Sequence, residues 1–348
     1  MSSKATTSPT VIDLQQILNA ADATEIKRLE IEFQNNGWCF VRLPKELIPT
    51  SNLTDNLTNF FKSDLKEDYS QRSQIYGYSK TDHKEGIKLL TGSQFSEFAH
   101  RGLVPSKLVD PLNYLSQVFD ALAKRLIELL DQHSVFQKKP SLTSLIERAN
   151  LPLADEYFGM LDIVSYFNEK NGLQPPQNGK STEEVNCVPH YDPGLFSISV
   201  LSTHEGLQLK DMINDQWVDG PLQENMGVIW LGEAAAKVSE NRLKPGIHRV
   251  VYPQEAKTRL TMWYEACTIE QIRNLSTAKQ NEVMAVGTVT FPNLPGSSPI
   301  AVRRGETKLD FLKRVEMGWG LSISKSGRVH YNIEEHAISY PANTAESK

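Results

Sequence analysis

A mainly β domain with flanking helices, built as a double-sheet jelly roll or another β-barrel, is what this sequence predicts. Three observations carry that expectation. Beyond about residue 155, short segments such as 195–201, 206–209 and 258–264 alternate apolar and polar residues, the period of strands with one buried face. Turn signals separate them at Asp192-Pro193-Gly194, Asn214-Asp215, Asp219-Gly220-Pro221 and Lys244-Pro245-Gly246. The residues before this region show helical spacing instead. Evenly spaced short strands of this kind close into barrels or pack as two sheets.

The elements follow in order. Thr24 can cap a helix with Ile26, Leu29 and Phe33 on one face, stopped at Asn36-Gly37. A short strand runs from Trp38 to Leu43, and Leu53, Leu57, Phe60 and Phe61 mark a second amphipathic helix. Asp110-Pro111 opens a third, with Leu115, Phe119, Leu122, Leu126 and Leu129 at helical spacing. A last helix is expected from a Thr307 cap through Leu309, Leu312 and Val315. The expected organisation is an N-terminal helical region over 10–150 packing on the barrel, a core over 155–270, and a C-terminal segment over 271–340 completing the same domain. The first ten and last eight residues read as frayed tails.

Composition removes several function classes. Lys and Arg number 37 against 42 Asp and Glu, a net charge of −5, so there is no electrostatic footprint for nucleic acid or anionic membrane. No apolar run approaches the roughly 20 residues of a membrane helix, and the first residues lack the apolar centre of a secretory signal. Three scattered cysteines (Cys39, Cys187 and Cys267) make neither a disulfide framework nor a zinc knuckle. A cytoplasmic location and a monomer are expected.

His190-Tyr191-Asp192 is the first feature with chemical content. Residues two apart on a strand share a face, so His190 and Asp192 can converge on one ion. Alone the pair is a weak signal, a surface His near a turn Asp being the plain alternative. His248 lies in another strand-like run, with 55 residues between it and Asp192. Two imidazoles and one carboxylate with open positions form the facial triad of non-haem iron(II) sites. Eleven residues on, Arg259 and Thr261 share a strand face; a guanidinium fork plus a hydroxyl is a receptor for a carboxylate.

These residues resemble the isopenicillin N synthase-like family of iron(II)/2-oxoglutarate-dependent dioxygenases. The resemblance rests on His190-Tyr-Asp-Pro-Gly-Leu, Gly206-Leu-Gln-Leu, His248-Arg-Val-Val and Arg259-Leu-Thr, and is specific over about 158–268. A weaker likeness covers the N-terminal part at Val11-Ile-Asp-Leu, Asn36-Gly-Trp-Cys-Phe and Tyr76-Gly-Tyr. It implies a jelly-roll barrel, the double-stranded β-helix, with Fe(2+) on His190, Asp192 and His248. It further implies 2-oxoglutarate as cosubstrate, its far carboxylate on Arg259 and Thr261, with O2 consumed and succinate and CO2 released. A small organic molecule is oxidised, usually by hydroxylation, and ascorbate is a candidate reductant.

One departure stands out. Where the family often carries Asn-x-Tyr on the strand before the ligands, Ile163-Val-Ser-Tyr-Phe167 places Ser165 and Phe167. Phe cannot donate a hydrogen bond to the cosubstrate, so either Tyr166 substitutes or Arg259 and Thr261 act alone. Tyr166, Phe167 and Trp263 are the candidate pocket residues. Trp217 and Trp230 are expected to fill the core, and His204 to lie in a turn. His83, His100, His133, His330 and His336 are read as structural or solvated. The polar stretch 168–184 is a candidate lid. Two other functions stay open: an iron oxidase of this fold that does not use 2-oxoglutarate, and a non-catalytic binding module.

Overall fold

The computed structural model describes residues 10–20, 23–70, 77–80, 84–92, 102–133, 141–146, 158–167, 182–252, 258–269, 271, 288–289, 300–301, 321–323 and 329–332. Within them the expected architecture of β-sheets with flanking helices is present. An eight-stranded sheet has the order β1 (Val11–Asp13), β2 (Trp38–Arg42), β10 (Met226–Leu231), β7 (Phe196–Ser202), β12 (Arg259–Ala266), β5 (Gly159–Tyr166), β4 (Lys84–Leu90) and β3 (Gly77–Lys80). A six-stranded sheet has the order β15 (Leu321–Ile323), β16 (Val329–Asn332), β6 (Thr182–His190), β11 (His248–Val251), β8 (Leu207–Asp211) and β9 (Gln216–Asp219). Strand β13 (Thr288–Val289) pairs with β14 (Ile300–Ala301). The strands that form the site are β4, β5, β7, β10 and β12 in the larger sheet. Opposite them stand β6, β8 and β11.

Helices cover the outer face of the larger sheet because the strand residues that point to that face are apolar. On β12, Leu260, Met262, Tyr264 and Ala266 join the main core with the helix Ser106–His133. There Tyr264 stacks on Phe119 with ring centroids 4.8 Å apart, and its hydroxyl donates to Asp120. The other parity of β12 (Arg259, Thr261, Trp263 and Glu265) faces the barrel interior, where Trp263 packs against Val164, Tyr166 and Val250.

The N-terminal helices form where their apolar spacing placed them, with shifted ends. The first predicted helix is α2 (Ala23–Asn35), closed by Gly37 at φ 76°; Thr24 lies inside its first turn and is not its cap. A further helix, α1 (Leu14–Ala20), precedes it. The second is α3 (Ser51–Lys62), capped by Thr50, whose side chain accepts from the Leu53 amide. The long helix begins at Ser106, five residues ahead of Pro111. The buried side chains of Leu108 and Leu112 extend its apolar stripe across that position. The helix expected after Thr307 lies outside the described residues, as do His83, His100 and His336. No described helix is long and apolar enough to cross a membrane.

Candidate metal and cosubstrate site

His190 is the last residue of β6, and His248 the first of β11, its register partner in the antiparallel pair. That pairing brings together two imidazoles 58 residues apart in sequence, their ring centroids 4.2 Å apart. Asp192 follows in the Asp192-Pro193-Gly194 bend. Its Oδ1 stands 3.8 Å from Nε2 of each histidine. One ligand-type atom from each of the three lies within 4.8 Å of the others, and no other such cluster of His, Cys, Asp or Glu exists among the described residues.

The surroundings select which atoms face the ion position. The other carboxylate oxygen, Oδ2, accepts from the Trp230 indole N–H at 2.6 Å and from the Ser197 hydroxyl. Only Oδ1 is left towards the histidines. His248 Nδ1 lies 3.1 Å from the Gly246 carbonyl, which places the proton on Nδ1 and the lone pair on Nε2. Burial, aided by His190, pushes the His248 pKa down to about 4, so the ring is a neutral ligand at physiological pH. For Asp192 burial alone would raise the pKa. The two imidazoles and the two donors outweigh it and hold the carboxyl below its ordinary value. A neutral imidazole pair and a monodentate carboxylate fit iron(II).

The turn carrying Asp192 is itself anchored. Glu265 Oε1 accepts from the Gly194 amide at 3.0 Å and from the Gln271 side chain at 2.7 Å. A Cβ on Gly194 would come within 2.6 Å of that oxygen and 2.7 Å of the Ala266 carbonyl, so the close approach requires glycine.

Arg259 lies across the barrel interior, only 2% exposed. Its Nε donates to Ser202 Oγ at 3.0 Å and to the His204 carbonyl at 3.2 Å, while its buried Nη1 has no hydrogen-bond partner among the described residues. Burial lowers its pKa to about 10, leaving it charged near neutrality. A buried guanidinium nitrogen without an acceptor is costly, and a ligand carboxylate would satisfy it. That observation fits 2-oxoglutarate. Tyr166 is the register partner of Arg259, with the guanidinium 5.5 Å from its ring centroid. Burial raises its hydroxyl pKa, so the phenol keeps its proton.

Three expectations change here. Tyr166 shares the interior face with Val164, whereas Phe167 and Ser165 line a separate cavity of about 790 Å³ with Phe61, Lys62 and Leu260. Phe167 is therefore not a wall of the metal site, and Tyr166 holds the position facing Arg259. The Thr261 hydroxyl donates to the Leu201 carbonyl at 2.9 Å, so that proton is not available to a carboxylate. Trp217 is half-buried on β9 (Gln216–Asp219), under the Arg249 guanidinium at 4.1 Å, and is not a core residue. Trp230 is buried as expected, but it also binds Asp192. The residues 182–184 of the candidate lid belong to β6, and 168–181 lie outside the described residues.

Ser197, Ser202, Trp230 and Glu265 are site residues that the sequence reading missed. Ser202 faces inward because β7 carries an extra residue: Met262 pairs with Leu201 but Trp263 with Ser199, a bulge that resets side-chain parity.

Residues 163–267 match the 2OG-Fe(II) oxygenase superfamily. A curated relative, clavatol oxidase of Penicillium crustosum, is 23% identical over 128 residues, which covers 35% of this chain and 37% of that protein. The chain thus aligns with little more than a third of that relative's length. Among solved structures, T7H of Neurospora crassa in complex with alpha-KG and 5-formyluracil superposes with a TM-score of 0.57 at 20% identity, covering 75% of this chain and 84% of that one. The dioxygenase for auxin oxidation of rice gives 0.57 at 16% identity, covering 75% and 83%. These structures share the fold, a jelly roll, with this chain. The similarity to the 2OG-Fe(II) oxygenase superfamily thus spans residues 163–267, the region that carries the His190–Asp192–His248 cluster and Arg259.

Proposed function

We propose that this protein is an iron(II)- and 2-oxoglutarate-dependent dioxygenase that hydroxylates a small organic molecule. His190, Asp192 and His248 hold the metal, and Arg259 receives the far carboxylate of the cosubstrate. The observation that carries the reading is the pairing, inside one barrel, of the three-residue cluster with a buried Arg259 Nη1 that has no hydrogen-bond partner among the described residues. When bound, iron(II) with 2-oxoglutarate supplies the means of activating O2, and the cosubstrate leaves as succinate and CO2.

The chain's own residues set the conditions for that chemistry. Trp230 and Ser197 fix the Asp192 carboxylate so that it offers one oxygen, which leaves coordination positions open. The Gly246 carbonyl fixes the His248 tautomer. Ser202 and the His204 carbonyl hold Arg259 by Nε, so its outer nitrogens point at a carboxylate without having to reorganise. Tyr166 keeps a phenolic proton beside that carboxylate, and Val164, Val250 and Trp263 exclude water from the space between.

Anaerobic addition of iron(II) and then 2-oxoglutarate tests this. A visible charge-transfer band is expected in the wild type and none in His248→Ala. Iron uptake with no band on adding 2-oxoglutarate would indicate an oxidase that does not use this cosubstrate. No iron uptake at all would leave only a binding module.

A further inference from the structure

We propose that the Lys88–Asp162 ion pair anchors the substrate of this site, and that the substrate is a small organic acid whose carboxylate docks on Lys88. The proposal rests on the oxygenase reading above and adds the chemical class of what is oxidised.

Strand register locates the pair. Across the larger sheet Val228, Ser199, Trp263, Asp162 and Lys88 are successive cross-strand partners. All stand on the interior face that also carries Val164 and Tyr166. The neighbouring row runs Trp230, Ser197, Glu265 and Met160, and Ser197 and Trp230 are the donors to Asp192. Asp162 is therefore near the level of the metal cluster, on a strand two spacings, or roughly 10 Å, from the one that carries Ser197. Trp263 lies between them. A molecule gripped at Lys88 and lying along Trp263 would extend towards the cluster.

The chemistry of the pair suits an anion. The Lys88 ammonium binds Asp162 Oδ2 and touches the Met160 sulfur at 3.2 Å. A thioether is a weak acceptor, and an ammonium has three donors, so Lys88 has capacity for another oxygen. Its side chain is 22% exposed and that of Asp162 10%, so the ammonium is not fully closed off by protein. As a structural device such a pair gains little, because desolvating two charges offsets their attraction. Among the described residues this wall carries Lys84, Lys88 and Arg259 against Asp162, while burial keeps the Glu265 carboxyl largely protonated near neutrality. Once Arg259 is assigned to the cosubstrate carboxylate, the remaining charge does not repel an acid, and Lys88 attracts one locally.

The test uses the iron(II)–2-oxoglutarate complex of the full chain, without oxygen. The probes are monocarboxylic acids of graded length, each beside its primary amide, and the readouts are perturbation of the visible band and, with O2 admitted, succinate release. In the wild type at least one acid should bind about tenfold or more tightly than its amide, in keeping with a charge-assisted hydrogen bond. Lys88→Met should abolish that preference and Lys88→Arg keep it. Asp162→Asn should strengthen acid binding, because it removes the competing carboxylate. Opposite effects from the two halves of one ion pair are not expected of a purely structural bridge. Equal binding of acids and amides, no acid binding, or the same direction of change in Lys88→Met and Asp162→Asn would each overturn the proposal while the oxygenase reading stood. If no band forms in the wild type, the underlying reading falls, and this proposal with it.

Discussion

Replacing Trp230 by Phe measures how much of the iron affinity resides outside the three proposed ligands. The indole N–H donates to Asp192 Oδ2 at 2.6 Å, and the ring lies 4.7 Å from that of His248. Phenylalanine keeps an aromatic face on the histidine and removes the donor. Oδ2 then retains a single partner, Ser197. A hydrogen bond to a charged group is worth about 1.5–3 kcal/mol. Loss of an outer partner of a metal ligand typically costs 10- to 100-fold in metal affinity, or about 1.4–2.7 kcal/mol. The two estimates agree, so the iron(II) dissociation constant should rise by roughly one to two orders of magnitude. The smaller ring also leaves a void in the core, at a cost to stability of about 1 kcal/mol or more. Anaerobic competition against a chelator gives the dissociation constant, and thermal unfolding of the metal-free protein separates the packing term. Ser197→Ala should act in the same direction. Unchanged iron affinity in folded Trp230→Phe would refute the reasoning, because Asp192 would then not depend on its Oδ2 donors for its placement.

Arg259→Lys keeps the charge but loses the Nε bonds to Ser202 and His204 and the outward fork. About 1–3 kcal/mol of binding should go, seen as a roughly tenfold to hundredfold weaker 2-oxoglutarate titration at unchanged iron affinity. Coincident curves would remove Arg259 from the cosubstrate site. Glu265→Gln tests the buried carboxyl behind the Asp192 turn. Burial, with Asp192 adding to it, raises the Glu265 pKa to about 8, above the value in the unfolded chain. The native state thus binds this proton more tightly, and the wild type should lose stability as pH rises from about 5 through about 8. Gln keeps an acceptor for the Gly194 amide but cannot ionise. The metal-free variant should therefore gain on the wild type in Tm between pH 5.5 and 8.5, and a constant difference would contradict the assignment.

The sequence by itself determined the parts whose pattern is local. Strand β12 alternates visibly, because one face meets the helices and the other a polar interior, so Arg259, Thr261 and Trp263 could be placed together before any fold was known. His190 and Asp192 stand two residues apart in sequence, and the spacing to His248 identified the third member of the cluster. Three of the described helices (Ala23–Asn35, Ser51–Lys62 and Ser106–His133) were legible from their apolar stripes, their ends less so, while Leu14–Ala20 was not. Packing extended the long helix back beyond Pro111, where turn chemistry had placed its start.

Tertiary structure alone decided which residues support that cluster. Strand β5 is buried on every residue, so no alternation reveals its faces, and only its register with β12 turned Tyr166 inward and Phe167 outward. The bulge in β7 reversed the parity of Ser202, which period-two counting would have placed outside. Trp230 reads as core from its hydrophobicity, yet the same ring supplies the hydrogen bond that orients Asp192, 38 residues away. The Thr261 hydroxyl, promising as a carboxylate donor on its strand face, is taken by a bulge carbonyl. Ligands follow from residue type and spacing, because metals demand particular atoms. Supporting partners follow from cross-strand register, which depends on every strand in the sheet at once.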